Sequence, residues 1–164
     1  MTQGAVIAAL YVILTYLQNM LFPDSASQMI QFRASEALCV LALLTPAAIP
    51  GLALGCLLFN LSYAAALPLD FLVGTAASAL AAAGMYFTKN VTVKGYPVLA
   101  MVMPALFNSL LVGWELAHYI GGGFWLNALY VALGELIVLL TFGTGLYLVM
   151  KKRDLGSRLF GQSL

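Results

Sequence analysis

WLNALYVALGELIVLLTFGTGLYLVM, residues Trp125 to Met150, carries one charged residue, Glu135, and runs directly into Lys151, Lys152 and Arg153. A membrane-spanning helix needs roughly 20 mostly apolar residues. This run exceeds that length, and it ends on a cluster of cations. Lipid is the solvent it calls for.

The rest of the chain agrees. Its 164 residues are 63% hydrophobic and 8% charged, with a mean hydropathy of +0.98. A soluble domain usually carries about 25% charged residues, enough to cover its surface. Further apolar runs lie at 4–22, 35–45, 49–66, 70–88 and 97–117. Breaks fall at Pro23-Asp24-Ser25, Pro46 to Gly51, Pro68, Lys89 to Tyr96 and Gly121-Gly122-Gly123, where proline and glycine end helices. With 125–150 they predict six transmembrane helices in one domain, residues 1–164, without repeats or low-complexity segments. The first run lacks a basic n-region and is long enough to span, so it reads as a helix of the mature protein rather than a signal peptide. The second run is short. As an α-helix, Ser35 to Thr45 would cover only ~16 Å.

Orientation follows from the cations. Lys89 and Lys94 share a loop, and Lys151, Lys152, Arg153 and Arg158 form the C-terminal tail. Two helices separate loop from tail, so both lie on one side, and the positive-inside rule makes that side cytoplasmic. Six helices then put both termini in the cytoplasm and Arg33 outside. If the second and third runs were one element, Arg33 and Glu36 would move inward. The six-helix count is preferred because it gathers nearly all intramembrane polar residues at one end. Labelling of a cysteine at position 27 is expected from outside.

Ionisable residues at membrane depth are costly and usually line a cavity or meet a partner. The candidates for a solute pocket are Glu36, Asp70, Glu115 and Glu135, with Asn60, Asn108 and Asn127 and the aromatics Trp114, Trp125 and Tyr130. Asn108 and Glu115 share a helix face about 10 Å apart in height, and Glu135 sits ~15 Å below its helix start, near mid-bilayer. Arg33 reads as the residue that orients Glu36. Structural readings stand beside these. Asp70 also suits a helix start, Glu36 a first-turn acid paired with Arg33, Glu115 and His118 a wet interfacial pair, and the tryptophans an aromatic belt. Glu135 has no comparable structural excuse. In the first helix, Gly4, Ala8 and Ala5, Ala9 are small pairs at four-residue spacing, which let another helix approach closely.

Several functions are disfavoured. The basic residues are too few and scattered for nucleic acid. Cys39 and Cys56 sit alone in apolar runs, and one histidine argues against a zinc or haem site; no cofactor is expected. There is no P-loop and no hydrolase motif. A solute-binding transport subunit needs only what is present. A stand-alone proton-coupled carrier using Glu135 is the alternative.

The stretch Ile30 to Leu38 (IQFRASEAL) with Thr45 to Gly51 (TPAAIPG), Leu69 to Thr75 (LDFLVGT), and Asn127 to Val131 with Gly134-Glu135-Leu136 resembles the QueT family. The resemblance runs along essentially the whole chain. It implies an all-α integral membrane protein of the bacterial plasma membrane, a substrate-binding S-component of an energy-coupling-factor (ECF) importer. It further implies a 7-deazaguanine solute, pre-queuosine or queuine, and partners comprising a transmembrane coupling subunit and two ATPases. The coupling subunit would dock on the small residues of the first helix. A binding subunit of the same architecture for another purine or vitamin is the nearest competitor. A 7-deazaguanine offers a ring N–H and an amine that one carboxylate can accept together, and a carbonyl that an amide can donate to. Glu135 or Glu36 would grip that edge, Glu115 or Asp70 an aminomethyl cation, and Asn60, Asn108 or Asn127 the carbonyl. Trp114, Trp125 and Tyr130 would stack on the ring, with Pro23 to Phe32 as the gate.

Overall fold

The computed structural model describes residues 2–23, 32–63 and 66–161. Its elements are α1 (Thr2–Leu21), a 3-10 helix (Ala34–Leu43), α2 (Ala48–Ser62), α3 (Asp70–Thr88), α4 (Val98–Tyr119), α5 (Phe124–Val138), a π turn (Leu139–Gly143), α6 (Thr144–Lys152) and α7 (Leu155–Phe160). No strand forms among the described residues, only an isolated bridge between Val93 and Tyr96. Phe124–Lys152 is one long helix through the π turn. With α1, α3 and α4 it gives four helices long and apolar enough to cross a membrane; the 3-10 helix and α2 are shorter apolar helices.

The helices alternate in direction. Gln3 meets both Thr45 and Leu159, and Lys151 donates to the Gly95 carbonyl. The N-terminus, the Thr45 turn, the Lys89–Tyr96 loop and the C-terminal tail therefore share one end of the bundle, which collects six of the seven cations. The second and third apolar runs are separate elements, divided at Thr45 to Ala47.

The second run differs from an α-helix. As a 3-10 helix rising about 2 Å per residue, Ala34–Leu43 covers ~20 Å, more than the same residues would as α-helix. Runs beyond three or four residues are uncommon in this form, so packing must impose it. Every residue from Ser35 to Leu44 is buried, and α1 holds its start. Gln18 accepts the Ala34 N–H at 2.6 Å and donates to the Phe32 carbonyl. The Thr15 hydroxyl meets Ser35 Oγ at 2.7 Å, and the Tyr11 hydroxyl donates to Glu36 Oε1 at 2.6 Å. Arg33, at the N-cap, supplies no side-chain cap. Gln18 performs that task from another helix. Gln18→Leu is therefore expected to cost about 1–2 kcal/mol. It should also speed amide exchange at Ala34 to Glu36; unchanged exchange there would contradict the long-range cap.

Close helix approach does the remaining work, because apolar side chains gain little by leaving lipid for protein. Gly4 and Ala8 of α1 pack on Gly51 and Gly55 of α2. A Cβ on Gly51 would lie 2.8 Å from the Gly4 carbonyl, and one on Gly55 3.0 Å from that of Ala8. Half of the small-residue set on α1 thus works inside the chain. Ala5 and Ala9 are exposed.

The π turn corrects a helix register. In an unbroken α-helix turning about 100° per residue, Glu135 and Tyr147 would lie about 120° apart. The turn absorbs one extra residue and brings them to within about 20°. Both are buried. Glu135 can then face the polar end while Tyr147 donates to the Gly95 carbonyl at the opposite end.

Candidate functional site

Five elements deliver buried polar groups to one region. The entry to the 3-10 helix brings Arg33 and Glu36, α2 brings Asn60, α3 begins with Asp70, and α4 and α5 bring Asn108, Glu115 and Glu135. All are buried, Glu115 completely. Arg33 is the electrostatic hub: it interacts with Asp70 and Glu36, with Glu115 and with Glu135. Glu115 also approaches Asp70, and Glu135 approaches Glu36. One guanidinium shares this region with four carboxyl groups.

The bonds inside this cluster show which groups are already engaged. Glu36 accepts from Tyr11, from Ser78 Oγ at 3.4 Å and from the Cys39 thiol at 3.3 Å. Asp70 Oδ2 accepts the Leu67 N–H at 2.9 Å, which ties the loop ahead of α3 rather than capping the helix. Asn60 Nδ2 donates to the Asp70 carbonyl at 2.7 Å, and Asn108 Nδ2 to Glu135 Oε1 at 2.9 Å. Glycine at position 74 leaves room for this packing, since a Cβ there would lie 2.7 Å from Asn60 Nδ2 and 3.8 Å from Arg33 Nη1.

Other acceptors lack a donor, although Glu115 lies beside the Asp70 carboxyl. Among the described residues, both carboxyl oxygens of Glu115, Glu135 Oε2 and Asn60 Oδ1 are buried without a hydrogen-bond partner. Each such group costs about 1–3 kcal/mol, more where charged. Such acceptors beside four carboxyl groups can accept hydrogen-bond donors and positive charge. No group of three or more His, Cys, Asp or Glu among the described residues is placed to hold a metal ion.

The structure divides the expected set. Glu36, Asn60, Asp70, Asn108, Glu115 and Glu135 come together, with Arg33 among them. Asn127 does not join as a donor: its amide nitrogen bonds the Gly121 and Gly123 carbonyls at 2.7 and 3.0 Å. That staple holds a loop in which Gly121, Gly122 and Gly123 all have positive φ, a conformation open to glycine. Trp114 and Trp125 also leave the expected wall. Trp125 is 80% exposed, and Trp114 is half exposed and stacked on His118. One residue along a helix turns the side chain about 100°, so a buried Glu115 sends Trp114 outward. Tyr130 is half-buried. Of the proposed gate, residues 24–31 lie outside the described residues.

Sequence reasoning missed Tyr11, Thr15 and Ser78. The signal was there: Tyr11, Thr15 and Gln18 follow a four-then-three spacing, a polar stripe on one face of an otherwise apolar helix. It also missed a nearby aromatic set on α1 and α2. Tyr16 meets Phe59 edge-on, and Phe59 stacks on Tyr63 with ring centres 5.1 Å apart.

A family model described as QueT transporter matches residues 1–152. No curated protein matches the chain, and neither does any solved structure.

Proposed function

The chain belongs to the QueT transporter family, and from that premise we propose that it is the substrate-binding subunit of an ECF importer, taking up a 7-deazaguanine such as pre-queuosine. Membership makes it a multi-pass membrane transport protein and not an enzyme. The finer reading rests on the buried orphaned acceptors of Glu115 and Glu135 beside Arg33. The ring N–H and exocyclic amine of a guanine-like edge suit Glu135, whose Oε2 lacks a partner. Asn108 keeps a second amide hydrogen for the ring carbonyl. An aminomethyl cation suits Glu115 with Asp70, where an ammonium would supply the donors and charge that Arg33 alone does not. Arg33 holds the carboxylates in place. Glu36, already bonded to Tyr11, Ser78 and Cys39, positions the 3-10 helix against α1 and α3.

Isothermal titration of the purified chain with pre-queuosine tests the substrate. Micromolar or tighter binding is expected. A folded chain that binds another purine or vitamin but no 7-deazaguanine would move the reading to a different solute. Uptake by this chain alone, without an ATPase partner, would favour the stand-alone carrier.

In this reading all six segments cross, with the basic end in the cytoplasm of a bacterial cell, the polar cluster toward the outside, and Ala5 and Ala9 turned toward a coupling subunit driven by two ATPases. Single cysteines at two exposed positions check the orientation, since the native Cys39 and Cys56 are buried. A His118→Cys variant should react with an impermeant thiol reagent in intact cells. Val93→Cys should react only after the membrane is opened. The reverse pattern would turn the molecule over.

A further inference from the structure

At the basic end, an apolar groove of about 410 Å³ opens between α1, the 3-10 helix, α6 and α7 and reaches up to Leu10 and Leu38, below the polar cluster. Its α1 wall runs from Thr2 to Leu10, about 12 Å. Val6 and Leu10 form that wall, Leu38 and Leu41 the floor, and Leu155 and Leu159 the far side. We infer that this groove seats one acyl chain of an anionic phospholipid whose headgroup meets Lys152, Arg153 and Arg158.

Three observations carry this. First, the groove opens on a face that the membrane reading puts in hydrocarbon, and a void lined by apolar groups forfeits the contacts a filler would make. Second, its walls are mostly leucine with valine, isoleucine, methionine and phenylalanine, and only Thr2 and Gln3 at one end are polar. The small residues Ala5 and Ala9, which would let a helix come close, do not line it. A flexible chain suits these irregular walls better than a rigid helix. Third, the end of the groove is built and charged. Asp154 adopts a left-handed turn, φ +47, that folds α7 back beside α1, where Gln3 donates to the Leu159 carbonyl. That fold-back places Leu155, Leu159 and Phe160 in the groove and leaves Arg158 exposed. Lys151 is engaged with Gly95 and Tyr147, but Lys152 and Arg153 are exposed beside it. Asp154, bonded to Ser157, is the acid beside them in the chain. Three cations against one acid favour an anionic headgroup over a zwitterionic one.

The test is native mass spectrometry of the full chain in detergent, titrated with phosphatidylglycerol or phosphatidylcholine of identical chains. Phosphatidylglycerol should bind preferentially, with one high-affinity copy. Lys152→Gln with Arg158→Gln should weaken that copy about 30-fold, leaving phosphatidylcholine unchanged. Val6→Trp, which fills the groove, should remove the high-affinity copy of both lipids; Leu159→Trp serves if the first variant is misfolded by circular dichroism. Both variants should bind pre-queuosine as the wild type does, because Val6 and Leu159 lie toward the basic end of the groove and neither bonds a residue of the polar cluster. Equal affinity for the two lipids, loss-free binding in the filled groove, or a protein subunit occupying it would overturn the inference.

Discussion

Replacing Glu135 by Gln is expected to weaken pre-queuosine binding about 100-fold while the purified chain keeps its helical content. The two side chains are nearly equal in volume, so the packing of α4 on α5 survives. Asn108 can still donate to the amide oxygen that replaces Oε1. What changes is the free end of the side chain. Glu135 Oε2, an acceptor without a partner, becomes an NH2 that faces ligand donors with donors of its own. Hydrogen bonds to charged groups are worth about 1.5–3 kcal/mol, and 1.4 kcal/mol is a factor of ten. Loss of one such bond with an added donor clash gives about two orders of magnitude. Titration calorimetry of both proteins provides the comparison. Affinity within threefold of wild type would remove Glu135 from the binding site.

A large structural effect is expected at Gly55. A Cβ at that position would lie 2.7 Å from Tyr11 Cβ and 3.0 Å from the Ala8 carbonyl oxygen. Neither neighbour can yield cheaply, because one is backbone and the other is the root of a buried ring. Gly55→Val must therefore push α1 away from α2, at about 3 kcal/mol or more. For a chain of this size that corresponds to a fall of about 10 °C in Tm. Displacing α1 also withdraws the Tyr11 hydroxyl from Glu36, so ligand binding should fall with stability. Gly145→Val is the matched control, since a Cβ there meets nothing within 4 Å. Equal melting temperatures for the two variants would show that α1 and α2 are not clamped through these glycines.

What the sequence disclosed depended on the range of the force involved. The α3 boundaries, Asp70–Thr88, match the expected helix because Pro68 and the Lys89 loop are local stops. The polar cluster was also legible: Glu135 and Glu115 stand out in apolar runs whatever surrounds them. The 3-10 form of Ala34–Leu43 was not, because its cause lies on α1, in Gln18, Thr15 and Tyr11. The π turn was equally hidden. Leu139 and Leu140 continue the apolar run without a break, and only the need to aim both Glu135 and Tyr147 inward reveals the added residue. The roles of the asparagines could not be separated by type. Asn127 is as buried as Asn108, yet the glycine loop before it claims its donors.

The long-range cap on Ala34 also bears on the order in which the chain assembles. A helix whose first turn is nucleated by a glutamine on another segment cannot mature before that segment is in place. Here the template, α1, leaves the ribosome before residues 34–43, so its polar stripe is already made when they emerge. A circular permutation that moved α1 to the end of the chain would keep every native contact and reverse that schedule. The 34–43 segment would then wait, its polar groups without their partners, until the last helix arrived.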